Sequence, residues 1–164
     1  MKFADGFWLN RRGYTVDYAA QPYDVKVKNN AIYVYATAQQ IWNRGMTLGG
    51  VALTVVYSST KEDTIKVQIV HHKGAANHEP KFELNEDADF VPTVTETEEA
   101  VTLVSGKTAV TVAKGMDWKI QFTYDGRHLT GGGWRATSYI QENAYLHENR
   151  EREAMDNTFW SVPA

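Results

Sequence analysis

The sequence predicts an all-β domain folded as an antiparallel sandwich. Apolar residues recur at alternate positions in most segments, as half-buried strands require. Asn, Asp, Ser and Gly turn pairs punctuate those segments at short intervals. Helical periodicity is nearly absent along the chain.

In residues 23–36, Val25 and Val27 alternate with Asp24, Lys26 and Lys28, and Asn29-Asn30 turns the chain into Ile32 and Val34. This is a β-hairpin pattern, because consecutive Asn residues tolerate the positive φ angles of a two-residue hairpin turn. Gly49-Gly50 precedes the apolar run 51–57. After the polar turn 58–63, Ile65, Val67 and Ile69 alternate strictly, giving a second strand pair. Residues 101–104 and 109–112 flank Ser105-Gly106-Lys107, and Trp118, Ile120, Phe122 and Tyr124 lead into Asp125-Gly126, the stronger of these two turn signals. Each strand must bury one face, and two sheets packed face to face do this economically. Val25, Val27, Ile32 and Val34 are therefore expected to point into one core, as are Ile65, Val67 and Ile69. A slip of one residue would expose them all.

A chain of 164 residues with 43% apolar and 23% charged residues fits one globular domain. It can bury roughly 70% of the surface its unfolded form exposes. The absence of cysteine removes disulfides, thiolate metal sites and thiol nucleophiles together. A net charge of -3 and a pI near 5.9 supply no basic field for nucleic acid. No run approaches the roughly 18 apolar residues of a membrane span. Asp5 and Gly6 interrupt the place where a secretory leader needs an unbroken apolar stretch. The expectation is a cytoplasmic protein with neither nucleic-acid nor membrane partners. The domain is expected to occupy residues 1–148. Residues 149–164, with the mixed charge run 148–153, are expected to form an irregular or short helical tail with a solvated face.

The sequence carries little recognisable catalytic chemistry. His71 and His72 are adjacent on an expected strand end, so they point to opposite faces, and His78 follows without a carboxylate at ligand spacing. No metal or cofactor is expected. Gly131-Gly132-Gly133 lacks the Lys-Ser/Thr and helix start of a phosphate loop and reads as a flexible connector. No serine lies in a Gly-x-Ser-x-Gly elbow. Glu96, Glu98 and Glu99 read as a charged outer strand face, not as a paired-carboxylate centre. Aromatics are more informative. Phe7, Trp8, Tyr14, Trp42 and Trp134 fall outside clear strand cores. Of these, Trp8, Trp42 and Trp134 are the candidates for stacking on a sugar, the alternative for each ring being a place in the core.

Asp5-Gly6-Phe7-Trp8-Leu9 followed by Gly13 resembles the opening of bacterial family 31 glycoside hydrolases of the α-xylosidase and α-glucosidase type. The resemblance continues in order through Arg44-Gly45-Met46-Thr47-Leu48, Leu53-Thr54-Val55, Ser58, Asp63, Ile65, Val67, His71, Gly74, Pro80 and Phe82-Glu83-Leu84. It ends with Ser105-Gly106, Lys114-Gly115, Trp118, Phe122, Gly126, Leu129-Thr130 and Tyr139. It covers roughly residues 1–148 and implies a galactose-mutarotase-like sandwich, in agreement with the independent period-two reading. Family members carry an aspartate nucleophile and an aspartate acid/base on a TIM barrel that follows. A barrel takes about 250 residues, so no catalytic residue transfers to these 164. After Glu148 the chain reads NREREAMDNTFWSVPA where the family continues through a Gly-rich segment; truncation, a frame change and a natural terminus all fit that departure.

The resemblance thus implies a non-catalytic N-terminal domain that packs on a barrel and shapes its sugar site, meeting α-glycosides or oligosaccharides only with that barrel. A free-standing carbohydrate-binding module and a protein-interaction module are the alternatives. An uncovered docking face is expected to favour self-association, with Trp134, Phe159 and Trp160 as candidates.

Overall fold

The structure, a computed structural model, describes residues 4–5, 9–70 and 82–142. Its strands are β1 (Ala4–Asp5), β2 (Leu9–Asn10), β3 (Tyr14–Tyr18), β4 (Gln21–Lys28), β5 (Ala31–Thr37), β6 (Ala52–Ser58) and β7 (Lys66–Val70). They continue as β8 (Thr93–Glu96), β9 (Ala100–Ser105), β10 (Thr108–Ala113), β11 (Ile120–Tyr124), β12 (Arg127–Gly132) and β13 (Ser138–Glu142). A single 3-10 turn, Arg44–Leu48, is the only helical element among the described residues.

The hairpins form where the turn chemistry places them. Asn29 and Asn30 take φ 50° and 56°, and Asp125 and Gly126 take 49° and 75°, the paired positive angles that match the twist of the flanking strands. The first turn joins β4 to β5 and the second joins β11 to β12. All pairings are antiparallel. One sheet has the order β4-β5-β6-β7 and the other β12-β11-β10-β9-β8, while β1 with β2 and β3 with β13 form separate ribbons.

The two large sheets enclose one apolar core. Ile32, Val34 and Ala36 of β5 and Leu53, Val55 and Tyr57 of β6 face Val101 and Leu103 of β9, Val110 and Val112 of β10 and Ile120 of β11. Within each strand these are alternate residues, so the sequence period is the burial period. Across the sheets the Tyr57 and Phe122 rings lie 6.3 Å apart, tilted by 59°. On the opposite face of the five-stranded sheet the Thr102 and Thr111 hydroxyls bond at 2.9 Å across a registered pair. The sandwich is closed at one end by a polar seam. Ser59 Oγ and Ser105 Oγ, both buried, lie 2.9 Å apart, and Ser105 Oγ donates to the Lys61 carbonyl at 2.9 Å. Beside them the Lys107 amide donates to Asp63 Oδ1. A side chain at Gly106 (φ 58°) would place its Cβ 2.5 Å from that carboxylate oxygen, so glycine suits this turn without displacing Asp63.

Several sequence expectations need correction. Ile32 and Val34 are buried, and Val25 and Ile65 pack partly against the core. Val27, Val67 and Ile69 do not share that burial, being 38%, 45% and 50% exposed. Their phase is right: Val67 and Ile69 pair with the buried Tyr57 and Val55 and share their face. They sit on edge strands, however, where the described residues of the opposite sheet do not cover them. Gly131 and Gly132 belong to β12 and are not a flexible connector. A Cβ on Gly131 would fall 2.8 Å from the Ile120 carbonyl oxygen, so glycine is required for close strand approach. Tyr14 is a buried β3 residue and not a surface ring. Glu96 lies on β8 and bonds Lys114 Nζ at 2.6 Å, whereas Glu98 and Glu99 fall between β8 and β9, so the three do not form one strand face. The tail 149–164, its boundary at 148, and His71, His72 and His78 lie outside the described residues.

Candidate functional site

Exposed aromatic side chains gather at the end of the sandwich where β4 begins, β5 ends and β10 connects to β11. A buried amide organises this end. Gln21, at the start of β4, accepts the Ile41 amide on Oε1 at 2.8 Å and directs Nε2 to Met116 Sδ at 3.3 Å. Gln40 donates from Nε2 to the Met116 carbonyl at 3.2 Å and to Asp117 Oδ1 at 2.8 Å. The Trp118 amide donates to the Ala20 carbonyl, and the Ala19 amide to that of Thr137, both at 2.8 Å. These bonds tie four separate loops into one platform, since each satisfies a polar group that the turn would otherwise leave unpaired. Trp118 itself is 3% exposed and anchors the platform to the core.

Trp42 and Trp134 project from this platform, 69% and 60% exposed. Trp42 precedes the 3-10 turn and directly follows Ile41, whose amide Gln21 holds. Trp134 occupies the turn after β12, closed by the Ala136 amide on the Gly133 carbonyl at 3.1 Å. Arg135 takes φ 70° there and carries its guanidinium 4.4 Å from the Trp134 ring centre and 5.1 Å from that of Tyr18. The cation therefore lies against two rings, an arrangement worth about 0.5–2 kcal/mol per contact depending on desolvation. Two of the three candidate rings are thus placed at one end of the domain; Trp8 lies outside the described residues. The sequence reading missed the Arg135 stack and the Gln21, Gln40 and Asp117 network. No local pattern announces the network, because its partners are up to 95 positions apart, and the stack's second ring, Tyr18, is likewise remote from Arg135.

Four carboxylates among the described residues serve the fold. Asp24 pairs with Lys26 at 2.8 Å, Asp63 holds the Lys107 amide, Asp87 caps the Asp89 amide at 3.1 Å, and Asp117 holds Gln40. The Asp24 hydrogen bond and charge raise the Lys26 pKa. Among the described residues no three His, Asp or Glu side chains gather as a metal site. The platform presents the Trp42 and Trp134 rings and the Arg135 guanidinium over a frame of hydrogen-bonded Gln21 and Gln40 amides.

Over 130 residues, 79% of its length, the chain is 30% identical to the α-xylosidase XylQ of Lactiplantibacillus pentosus. The chain is related to the family 31 glycoside hydrolases. A second relative, an α-xylosidase of Emericella nidulans, is 26% identical over 151 residues, 87% of the chain. The chain spans only 17% and 19% of the lengths of these two enzymes. The fold matches part of the cycloalternan-forming enzyme of Listeria monocytogenes, solved with a pentasaccharide substrate, with a TM-score of 0.54 and 16% identity. That match covers 79% of this chain and 11% of the enzyme. No family model matches the sequence.

Proposed function

We propose that this domain is the non-catalytic sandwich of an α-xylosidase-like or α-glucosidase-like hydrolase, packing on a catalytic barrel and shaping the entrance to its sugar site. The observation that carries it is the proportion of the match. Most of this chain aligns with XylQ, yet it accounts for about one sixth of that enzyme, the share of one folded domain in a multidomain protein. The Trp42 and Trp134 platform supports the reading, because exposed rings on a rigid frame suit either a neighbouring domain or a sugar face. A carbohydrate-binding module acting alone would draw on the same rings.

Two measurements test this. The purified chain should release no product from aryl α-xylosides or α-glucosides, whereas XylQ with its matching segment exchanged for this chain should fold and hydrolyse aryl α-xylosides. A soluble, folded but inactive chimera would count against the proposal, as would turnover that copurifies with the isolated chain. Saturable binding of xylo- or gluco-oligosaccharides to the chain alone, abolished by Trp42→Ala or Trp134→Ala, would favour the binding-module reading instead.

A further inference from the structure

Among the described residues the two large sheets have four edge strands, β4, β7, β8 and β12, and an unpaired strand edge is a template for another chain unless something blunts it. Three of the four are blunted. Strand β4 carries Pro22, a register shift between Pro22 and Asp24, and the charged residues Asp24, Lys26 and Lys28. Strand β8 has four residues and ends on the Glu96 ion pair with Lys114. Strand β12 begins with Arg127 and His128, pairs irregularly between Phe122 and Thr123, and ends on two glycines.

Strand β7 has none of these devices across its centre. It is regular over Lys66–Val70, pairs with β6 in unbroken register, and contains neither Pro nor Gly. Its charge is confined to Lys66 at one end. Val67 and Ile69 are the side chains left 45% and 50% exposed beside the core.

We propose that β7 pairs antiparallel with β7 of a second copy of this chain, about a two-fold axis at Gln68. The register is self-complementary. Gln68 faces Gln68 of the second copy, Val67 faces its Ile69, and Lys66 faces its Val70, so the two lysines lie at opposite ends of the ribbon and do not repel. The apolar pairs fall on the core face, where each copy covers the residues the other leaves bare, and the two four-stranded sheets join into one of eight. A ribbon of five residues buries far less than the roughly 1,600 Å² of a stable interface. The association is accordingly weak, with dissociation constants on the order of 10 μM to 1 mM.

Sedimentation velocity on the whole chain from about 5 μM to 1 mM should show concentration-dependent dimers. Ile69→Lys should remain monomeric throughout, since an inward-pointing lysine blocks an edge. Because the chain has no cysteine, a single Gln68→Cys reports the register directly. Under mild oxidation it should form covalent dimers at least about tenfold faster than Thr93→Cys on β8, since facing strand residues lie within disulfide reach. A wild-type chain monomeric across the range would overturn the proposal. So would equal cross-linking at the two positions, or dimers that Ile69→Lys leaves intact; and Gln68→Cys keeps the test decisive if the lysine variant folds poorly.

Discussion

Leu103→Ala and Ile69→Ala remove side chains of nearly equal size from the same kind of strand face, yet the structure assigns them very different costs. Leu103 is 0% exposed at the centre of β9, enclosed by both sheets. Losing three carbons there forfeits about 2.4 kcal/mol at about 0.8 per methylene, and the cavity left in a close-packed core brings the loss to about 3–4 kcal/mol. Ile69 is 50% exposed on β7. About half the transfer free energy is at stake and no closed cavity forms, so the loss is about 1 kcal/mol. For a domain of this size the two variants should melt about 6–16 °C and about 2–4 °C below wild type. Urea titration followed by the fluorescence of the five tryptophans measures both, and unchanged m-values would show that the unfolded state is common. Equal losses at the two positions, or a larger one at Ile69, would refute the placement of the core between these two sheets. The comparison belongs at low micromolar protein, where association through β7 contributes nothing.

Two further outcomes follow from particular residues. Asn30 sits at φ 56° in the β4–β5 turn, and Asn30→Val should lower stability by about 1–3 kcal/mol, because a β-branched residue holds that conformation only under strain; an unchanged urea midpoint would contradict the turn assignment. Burial raises the Tyr57 hydroxyl pKa well above its ordinary 10.0, so the folded state holds that proton where the unfolded chain releases it. Its contribution is intact below about pH 10 and is lost as pH rises through the folded-state value. Tyr57→Phe should therefore show a shallower fall in urea midpoint between pH 9 and 11 than wild type, on the order of those tyrosine pKa values. Parallel falls in the two proteins would place Tyr57 outside the core.

The resemblance to α-xylosidases was legible because its motifs are turn glycines and alternating core residues, which are local and ordered along the chain. The platform was legible only in part. Trp42 and Trp134 could be picked out as rings lying outside strand patterns, but their placement at one end depends on Gln21, Gln40, Met116 and Asp117, which meet only after both sheets have formed. Trp134 precedes Arg135 directly, but nothing local marks Tyr18 as the second ring against that cation. Likewise β3 and β13 form one ribbon although Val16 and Ile140, a registered pair, stand far apart in sequence.

By itself, then, the sequence determined the class of the fold, the phase of its strands and the turns that join them. Alternation selects which face of each strand is apolar, and Asn29-Asn30, Ser105-Gly106 and Asp125-Gly126 accept backbone angles that few other pairs would. Only the tertiary structure decided which strands are central. Val55, in a continuous apolar run, and Ile69, in a strictly alternating segment, both read as core-facing and are registered partners, but one is wholly buried and the other half exposed. Burial is a property of what lies opposite, and an edge strand has less opposite it than a central one. The same reason separates Gly131 from a loop glycine: its need for a missing side chain comes from the Ile120 carbonyl of the neighbouring strand, a contact that the local sequence does not encode.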